Sequence, residues 1–232
     1  MISIASFNKS IFKDEYFKEY AGALTVRNED EGATKLLSTV NITSKGSFIN
    51  ISNKILKESS SIYKTEDRTK GYISYRRDCD GICILELNKR KILLIIEVKS
   101  GFNEVKKKAF EQLVASYVKT RCILQTIDGY NPADYEEMGL VISYPPTGKA
   151  TLNPTSLIKT KVAAINPSYL DKLNADNASK LSVDKKVVLT LSDYKVDRSH
   201  INAAYYNPSL LVKHISVSDS ASSDTIDLDG LF

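Results

Sequence analysis

The sequence has few of the residues on which common metal and redox sites depend. In 232 residues it contains three cysteines, two histidines and no tryptophan. An odd number of cysteines without CxxC spacing (Cys79, Cys83 and Cys122) argues against a disulfide framework and predicts a reducing compartment, the cytoplasm. The two histidines, His200 and His214, have no ligand spacing and argue against a zinc site. Any chemistry would therefore depend on carboxylates and lysines.

Long apolar runs are also missing. The longest run of strongly apolar residues, 92–96, is far shorter than the ~20 residues that a membrane helix needs. The first residues lack a basic segment followed by an apolar one, so they are not typical of a signal peptide. We therefore expect no membrane association. The 42% hydrophobic and 26% charged residues are typical of a globular domain.

Charge is distributed unevenly along the chain. The formal net charge is +4, but four acidic residues and no basic residue follow Lys213. The body of the protein is therefore basic and the C-terminal tail acidic. A basic body is compatible with nucleic-acid binding through phosphate contacts, although on charge alone a solvated surface is the better explanation.

The apolar pattern changes along the first hundred residues. Tyr16, Tyr20 and Leu24 recur near helical spacing, as do later apolar residues up to position 60, and this predicts N-terminal helices. Residues 82–87 and 91–98 are instead apolar and β-branched, and 88–90 between them predict a β-hairpin. Because 92–96 are apolar throughout, we expect a central strand buried on both faces.

A helix is predicted next, over 103–120, because its apolar residues share one side of the helix. Two strands are predicted after it, over 121–127 and 140–144. Further along the chain, Asn166-Pro167 is typical of a helix start. Later strands are predicted over 186–192 and 210–217.

These elements predict an α/β fold with a small central mixed β-sheet flanked by helices. Residues 1–149 would form the core, with the N-terminal helices. Residues 150–215 would form a C-terminal, β-containing elaboration of the same domain. The Ser- and Asp-rich residues 216–232 would be an acidic, disordered tail.

Three charged residues are placed by the predicted hairpin where they could act together. Glu97 and Lys99 are two apart at the end of the buried strand, so they share a face. Asp80 precedes the neighbouring strand and would lie beside Glu97. Two adjacent carboxylates repel unless a proton or a cation lies between them. Oxygen ligands favour Mg²⁺ or Mn²⁺, and a neighbouring lysine can stabilise charge that develops on a phosphate.

Asp80-Gly81, then Glu97-Val98-Lys99 and an amphipathic helix resemble the PD-(D/E)XK nuclease superfamily. The resemblance covers roughly residues 30–145 and implies a restriction-endonuclease-like core. It implies that Asp80 and Glu97 bind Mg²⁺, for which Mn²⁺ would substitute, and that Lys99 is the catalytic lysine. Gln112 matches a helix glutamine that faces the site in several branches. The residue before Asp80 is Cys79, where many members have proline.

Some assignments stay open. Asp78 would share a face with Asp80 and is an alternative first ligand, although Asp-Gly is the more frequent form. Some members add a glutamate from an N-terminal helix, for which Glu29 and Glu31 are weak matches. The nucleic-acid backbone would contact basic residues near the site, namely Arg76, Arg77, Lys106, Lys107 and Lys108.

The resemblance implies a DNA endonuclease rather than an exonuclease, and a homodimer, since many such nucleases dimerise. The acidic tail resembles a peptide motif that recruits a protein partner or covers the basic groove. The alternative is a non-catalytic nucleic-acid-binding or assembly protein on the same fold. A third interpretation is an interaction module in which Glu97 and Lys99 form a simple salt bridge.

Overall fold

The computed structural model describes seven stretches of the chain, which are residues 3–28, 37–63, 75–100, 109–144, 186–190, 209–217 and 222–232. Within them the protein has an α/β fold with a mixed central sheet. Its α-helices are α1 (Ile4–Asn8), α2 (Asn53–Ser59) and α3 (Phe110–Leu124). Its strands are β1 (Phe17–Arg27), β2 (Thr39–Ile51), β3 (Gly81–Leu87), β4 (Arg90–Lys99), β5 (Glu136–Ser143), β6 (Lys186–Thr190), β7 (Ser209–Ser216) and β8 (Ser223–Asp227).

The strand order is β1-β2-β3-β4-β5-β7-β6. Strands β1 to β4 form an antiparallel meander, whereas β4, β5 and β7 run parallel to one another. Strand β8 pairs in parallel with the first half of β2, while β3 pairs with the second half of β2. The carboxyl ends of three adjacent parallel strands therefore lie at one edge of the sheet.

The β3–β4 hairpin confirms the prediction for this region. Asn88 and Lys89 connect the strands with φ angles of 52° and 66°, as a two-residue hairpin turn requires. In the register of the hairpin, Gly81 pairs with Ile96 and Leu87 with Arg90. Residues 92–96 are all fully buried, so the predicted central strand is also confirmed.

The predicted N-terminal helices are wrong, because most of that region forms the long strands β1 and β2. A spacing of four residues, such as Tyr16, Tyr20 and Leu24, satisfies a period of two as well as a helical period. At Gly22, where φ is 74°, the register of β1 with β2 shifts by two residues, which leaves the alternation of side chains along β1 unchanged. Only the short helices α1 and α2 occur in the described part of the region.

Helix α3 covers one face of the sheet. Its apolar residues, among them Leu113, Val114 and Tyr117, pack on Leu93 and Ile95 of β4. The predicted start of this helix, at residue 103, lies outside the described residues, as do all of residues 101–108. The helix continues through Leu124, and the predicted strand over 121–127 is wrong. A short apolar run does not distinguish a strand from a buried helix end.

The later strands agree with the sequence. Strands β5, β6 and β7 cover most of the predicted ranges 140–144, 186–192 and 210–217. Strand β7 pairs directly with β5 and so belongs to the central sheet. The predicted helix start at 166–167 lies outside the described residues.

The C-terminal residues differ from the predicted disordered tail, because residues 222–232 pack against the sheet. Ile226 and Leu228 are buried, and Asp229 accepts hydrogen bonds from Ser44 Oγ at 2.7 Å and from the backbone N–H of Lys45. The first bond lowers the pKa of Asp229 below its ordinary value. Acidic side chains alternate with buried apolar ones here, as they do in a strand with one buried face. The acidic composition alone therefore predicted a disordered tail where a strand occurs.

None of the helices in the described stretches is both long enough and apolar enough to span a membrane.

Candidate active site

Asp80 lies at the open end of the β3–β4 hairpin. Since Gly81 pairs with Ile96, one further step along the register brings Asp80 opposite Glu97. The backbone N–H of Asp80 donates to Ile96 O at 3.0 Å, and Asp80 Oδ2 accepts the N–H of Val98 at 2.8 Å. The carboxylate of Asp80 is therefore fixed by the backbone of the neighbouring strand, beside the residue that carries the second carboxylate.

Glu97 and Lys99 form a buried ion pair on the face of the sheet that α3 covers. Lys99 Nζ lies 2.5 Å from Glu97 Oε1, and the two side chains are 0% and 1% exposed. Both alternate with Val98, which belongs to the core on the opposite face. A carboxylate at this depth needs a cation beside it, and here Lys99 provides one.

Asp78, the alternative first ligand, has a different partner. Its carboxylate forms an ion pair with Lys119 of α3, a fully buried lysine. Ser60 Oγ lies 3.3 Å from the other oxygen of the same carboxylate. The charge of Asp78 is thus used to hold the segment before β3 against α3, which favours Asp80 as the carboxylate beside Glu97.

Two amide side chains hold the segment that carries Asp78 and Asp80. Asn53 Nδ2 donates to Asp80 O at 2.6 Å, and Gln112 Nε2 donates to Asp78 O at 2.8 Å. A carbonyl only accepts, so these bonds fix which end of each amide points at the backbone. Among the described residues, the buried oxygens Asn53 Oδ1 and Gln112 Oε1 accept no hydrogen bond. Gln112 therefore positions the backbone and leaves an acceptor for water or a cation.

A cleft of about 590 Å³ opens beside Asp80. Its walls are β1, the end of β2, the start of α2 and the first residue of β3. The cationic side chains in its lining are Arg27, Lys54 and Lys57. An anionic ligand would therefore find several positive charges around a single carboxylate.

The two arginines predicted to bind the nucleic-acid backbone make intramolecular contacts. The exposed Arg76 donates through Nε to Tyr63 O at 3.0 Å. Arg77 Nη1 lies 3.0 Å from Glu111 Oε2, and both side chains are partly exposed. Lys106, Lys107 and Lys108 lie outside the described residues, as do Glu29 and Glu31.

The residues present suit Mg²⁺ better than a metal that needs a full protein cage. No group of three His, Cys, Asp or Glu side chains suited to a metal occurs in the described stretches. Asp80 and Glu97 supply two carboxylates, and the amides of Asn53 and Gln112 are bonded to the backbone of the segment that carries Asp80. Magnesium is usually bound through one or two carboxylates, with waters and substrate phosphates as its other ligands. The donor set fits this pattern.

The chain matches no protein-family model, no curated protein and no solved structure. One fold can carry many unrelated activities, so the function has to be inferred from the side chains of the site.

Two polar residues beside this site were not predicted from the sequence. Ser143 of β5 is the register partner of Lys99, and His214 of β7 pairs with Val141. Ser143 Oγ donates to Tyr144 O at 2.9 Å, so its single hydrogen is used and His214 Nε2, also at 2.9 Å, is the donor to Ser143 Oγ. Burial lowers the pKa of His214 to about 4, which keeps the ring neutral. The one signal for this pair is its position, because both residues lie near the carboxyl ends of neighbouring parallel strands.

Proposed function

We propose that the protein is a metal-dependent nuclease that hydrolyses phosphodiester bonds of DNA, as an endonuclease, on a restriction-endonuclease-like core. The observation that carries the proposal is the position of Asp80 opposite Glu97, with Lys99 Nζ 2.5 Å from Glu97. Two carboxylates and a lysine at the end of one hairpin form the constellation that the resemblance implies.

Each residue has a role that its contacts support. Asp80 and Glu97 would hold Mg²⁺, which supplies an activated water and offsets the charge of the phosphate. Lys99 holds a positive charge at the carboxylates and is suited to stabilise negative charge that develops on the phosphate. Gln112 and Asn53 keep the Asp78–Asp80 segment in place, and their oxygens are available to orient a water.

The competing function is a non-catalytic nucleic-acid-binding or assembly protein. It is favoured by the burial of Glu97 and Lys99, which are 0% and 1% exposed and already neutralise each other. Such a pair would stabilise the hairpin without binding a metal. The presence of Asp80 beside it favours the nuclease, because a second carboxylate adds repulsion that a structural pair does not require.

Cleavage of supercoiled plasmid tests the proposal. Wild type, Asp80→Asn and Glu86→Gln would be compared with Mg²⁺, Mn²⁺ and EDTA. Glu86 is an exposed carboxylate on β3, remote from the site, and is the matched control. We expect metal-dependent nicking or linearisation by wild type and Glu86→Gln, and none by Asp80→Asn. Equal cleavage by Asp80→Asn would contradict the assignment of the site.

A metal titration separates the two functions. We expect Mn²⁺ to bind wild type and Glu86→Gln in calorimetry, and Asp80→Asn to bind it at least tenfold more weakly. Plasmid binding with no metal uptake and no cleavage would instead support the non-catalytic protein.

A further inference from the structure

The cleft beside Asp80 has a lining that the metal chemistry does not use. Its volume of about 590 Å³ is in the range of pockets that hold a small organic ligand. Besides Asp80, the lining contains an exposed aromatic ring, cations and side-chain amides.

The cations of the cleft suit phosphate groups. Lys54 Nζ lies 2.8 Å from Glu15 and 3.8 Å from Glu58, so its charge is largely offset. Arg27, an exposed residue at the end of β1, makes no ion pair with any part of the chain that the structure describes. Lys57 is exposed on α2. Arg27 is therefore the cation best suited to meet an anionic ligand, and the exposed Lys57 lies in the same lining.

The aromatic group of the cleft is Tyr20. Its side chain is 39% exposed, which makes it one of few large hydrophobic residues at the surface of the described part of the chain. Tyr20 lines the same cleft as Thr25 and Arg27. An exposed ring beside cations is the arrangement that binds unpaired bases and their phosphates.

We infer that this cleft binds an unpaired strand of nucleic acid, with Tyr20 stacked on a base and Arg27 and Lys57 on neighbouring phosphates. The inference rests on the proposed function, for which it names the substrate class and the path of the strand past Asp80. In a duplex the base faces are covered by neighbouring pairs, so only an unpaired base offers a face to Tyr20. The volume of the cleft also suits a few nucleotides rather than a double helix.

Binding in EDTA tests the inference without cleavage. Fluorescence anisotropy would compare a labelled oligothymidylate with a labelled blunt duplex of equal length. We expect the single strand to bind at least tenfold more tightly than the duplex. Tyr20→Ala should weaken single-strand binding about tenfold, because the base loses the ring on which it stacks. Tyr20→Phe keeps the ring and should bind as wild type does.

The salt dependence tests the phosphate contacts. Each phosphate contact contributes about 0.7 to the slope of log affinity against log salt for a single strand. Arg27→Gln combined with Lys57→Gln should therefore lower that slope by about 1.4. Lys89→Gln, at the exposed turn of the hairpin far from Asp80, removes a lysine charge elsewhere and should leave the slope unchanged. Circular dichroism would check that each variant is folded.

The outcomes distinguish this inference from the proposed function. Single-strand binding that depends on Tyr20 and Arg27, without cleavage in any metal, would support the cleft and overturn the nuclease. Metal-dependent cleavage, with single-strand binding that does not depend on Tyr20, Arg27 or Lys57, would support the nuclease and overturn the cleft. Equal affinity for single strand and duplex would overturn the inference by itself.

Discussion

Asp80 Oδ2 accepts the backbone N–H of Val98 at 2.8 Å, so one side chain both ends the β3–β4 ladder and supplies a carboxylate to the candidate site. The bond fixes the orientation of the carboxylate without using its charge. Val98 follows Glu97 directly, so the same contact keeps the two carboxylates at one end of the hairpin. Structure and chemistry at Asp80 can therefore be separated by substitution.

Asp80→Asn and Asp80→Ala should differ in stability, although both should be inactive. The amide oxygen of Asn still accepts the Val98 N–H, so we expect the free energy of unfolding to stay near that of wild type. Ala leaves this N–H without its partner and should cost about 1–2 kcal/mol. Urea unfolding measures both, and neither variant should cleave plasmid. Equal stability of the two variants would contradict the role given to this hydrogen bond.

Removing one partner of the Glu97–Lys99 pair should lower stability more than removing both. Glu97→Gln leaves the buried charge of Lys99 uncompensated, and Lys99→Met leaves the buried charge of Glu97 uncompensated. Each single variant should therefore lose about 3–5 kcal/mol in the free energy of unfolding. The double variant removes both charges and should lose less than either single variant. Urea unfolding of the four proteins gives the coupling energy. Additive losses would show that the two charges do not stabilise each other.

Arg90 and Glu136 provide a matched exposed pair. Arg90 Nη2 also lies 2.5 Å from Glu136 Oε2, but the side chains are 40% and 52% exposed. Because solvent screens this pair, Glu136→Gln should cost less than about 1 kcal/mol. A similar loss in Glu136→Gln and Glu97→Gln would show that burial does not set the cost.

The parts of the fold that the sequence predicted are those with one dominant local pattern. The hairpin has two apolar runs around a two-residue turn, and α3 has an apolar side that fits only a helical period. Strand β1 was not predicted because a spacing of four residues fits a period of two as well as a helical period. Strand β8 was not predicted because acidic residues flank its one buried position, Ile226, and separate it from the buried Leu228 that follows the strand.

The same limit applies to the site. Asp80, Glu97 and Lys99 could be predicted because a hairpin register is a local property. The ion pair of Asp78 with Lys119 could not, because it depends on how α3 packs against the start of β3. The Ser143–His214 contact needs a strand from much later in the chain to join the sheet, and no local pattern indicates that.

His214 should make the stability of the fold depend on pH. Burial lowers its pKa from 6.5 to about 4, so between these values the unfolded chain binds more protons than the folded one. The contribution of the neutral ring is therefore complete above pH 6.5 and is lost as the pH falls toward 4. In urea titrations over this range, wild type should lose more stability than His214→Gln, whose amide can still donate to Ser143. Parallel curves would contradict the buried, neutral histidine.

Leu228 tests whether the acidic C-terminus is part of the fold. Its side chain is 0% exposed and its N–H donates to Thr43 O at 2.9 Å. Leu228→Ala should therefore cost about 2–5 kcal/mol in urea unfolding, as for a buried leucine in a core. Thr225→Ala, an exposed position on β8, is the control and should change stability by less than about 0.5 kcal/mol. Hydrogen exchange at Leu228 should be slow in wild type. Fast exchange at Leu228 in wild type, with unchanged stability in Leu228→Ala, would instead support the disordered tail that the composition predicts.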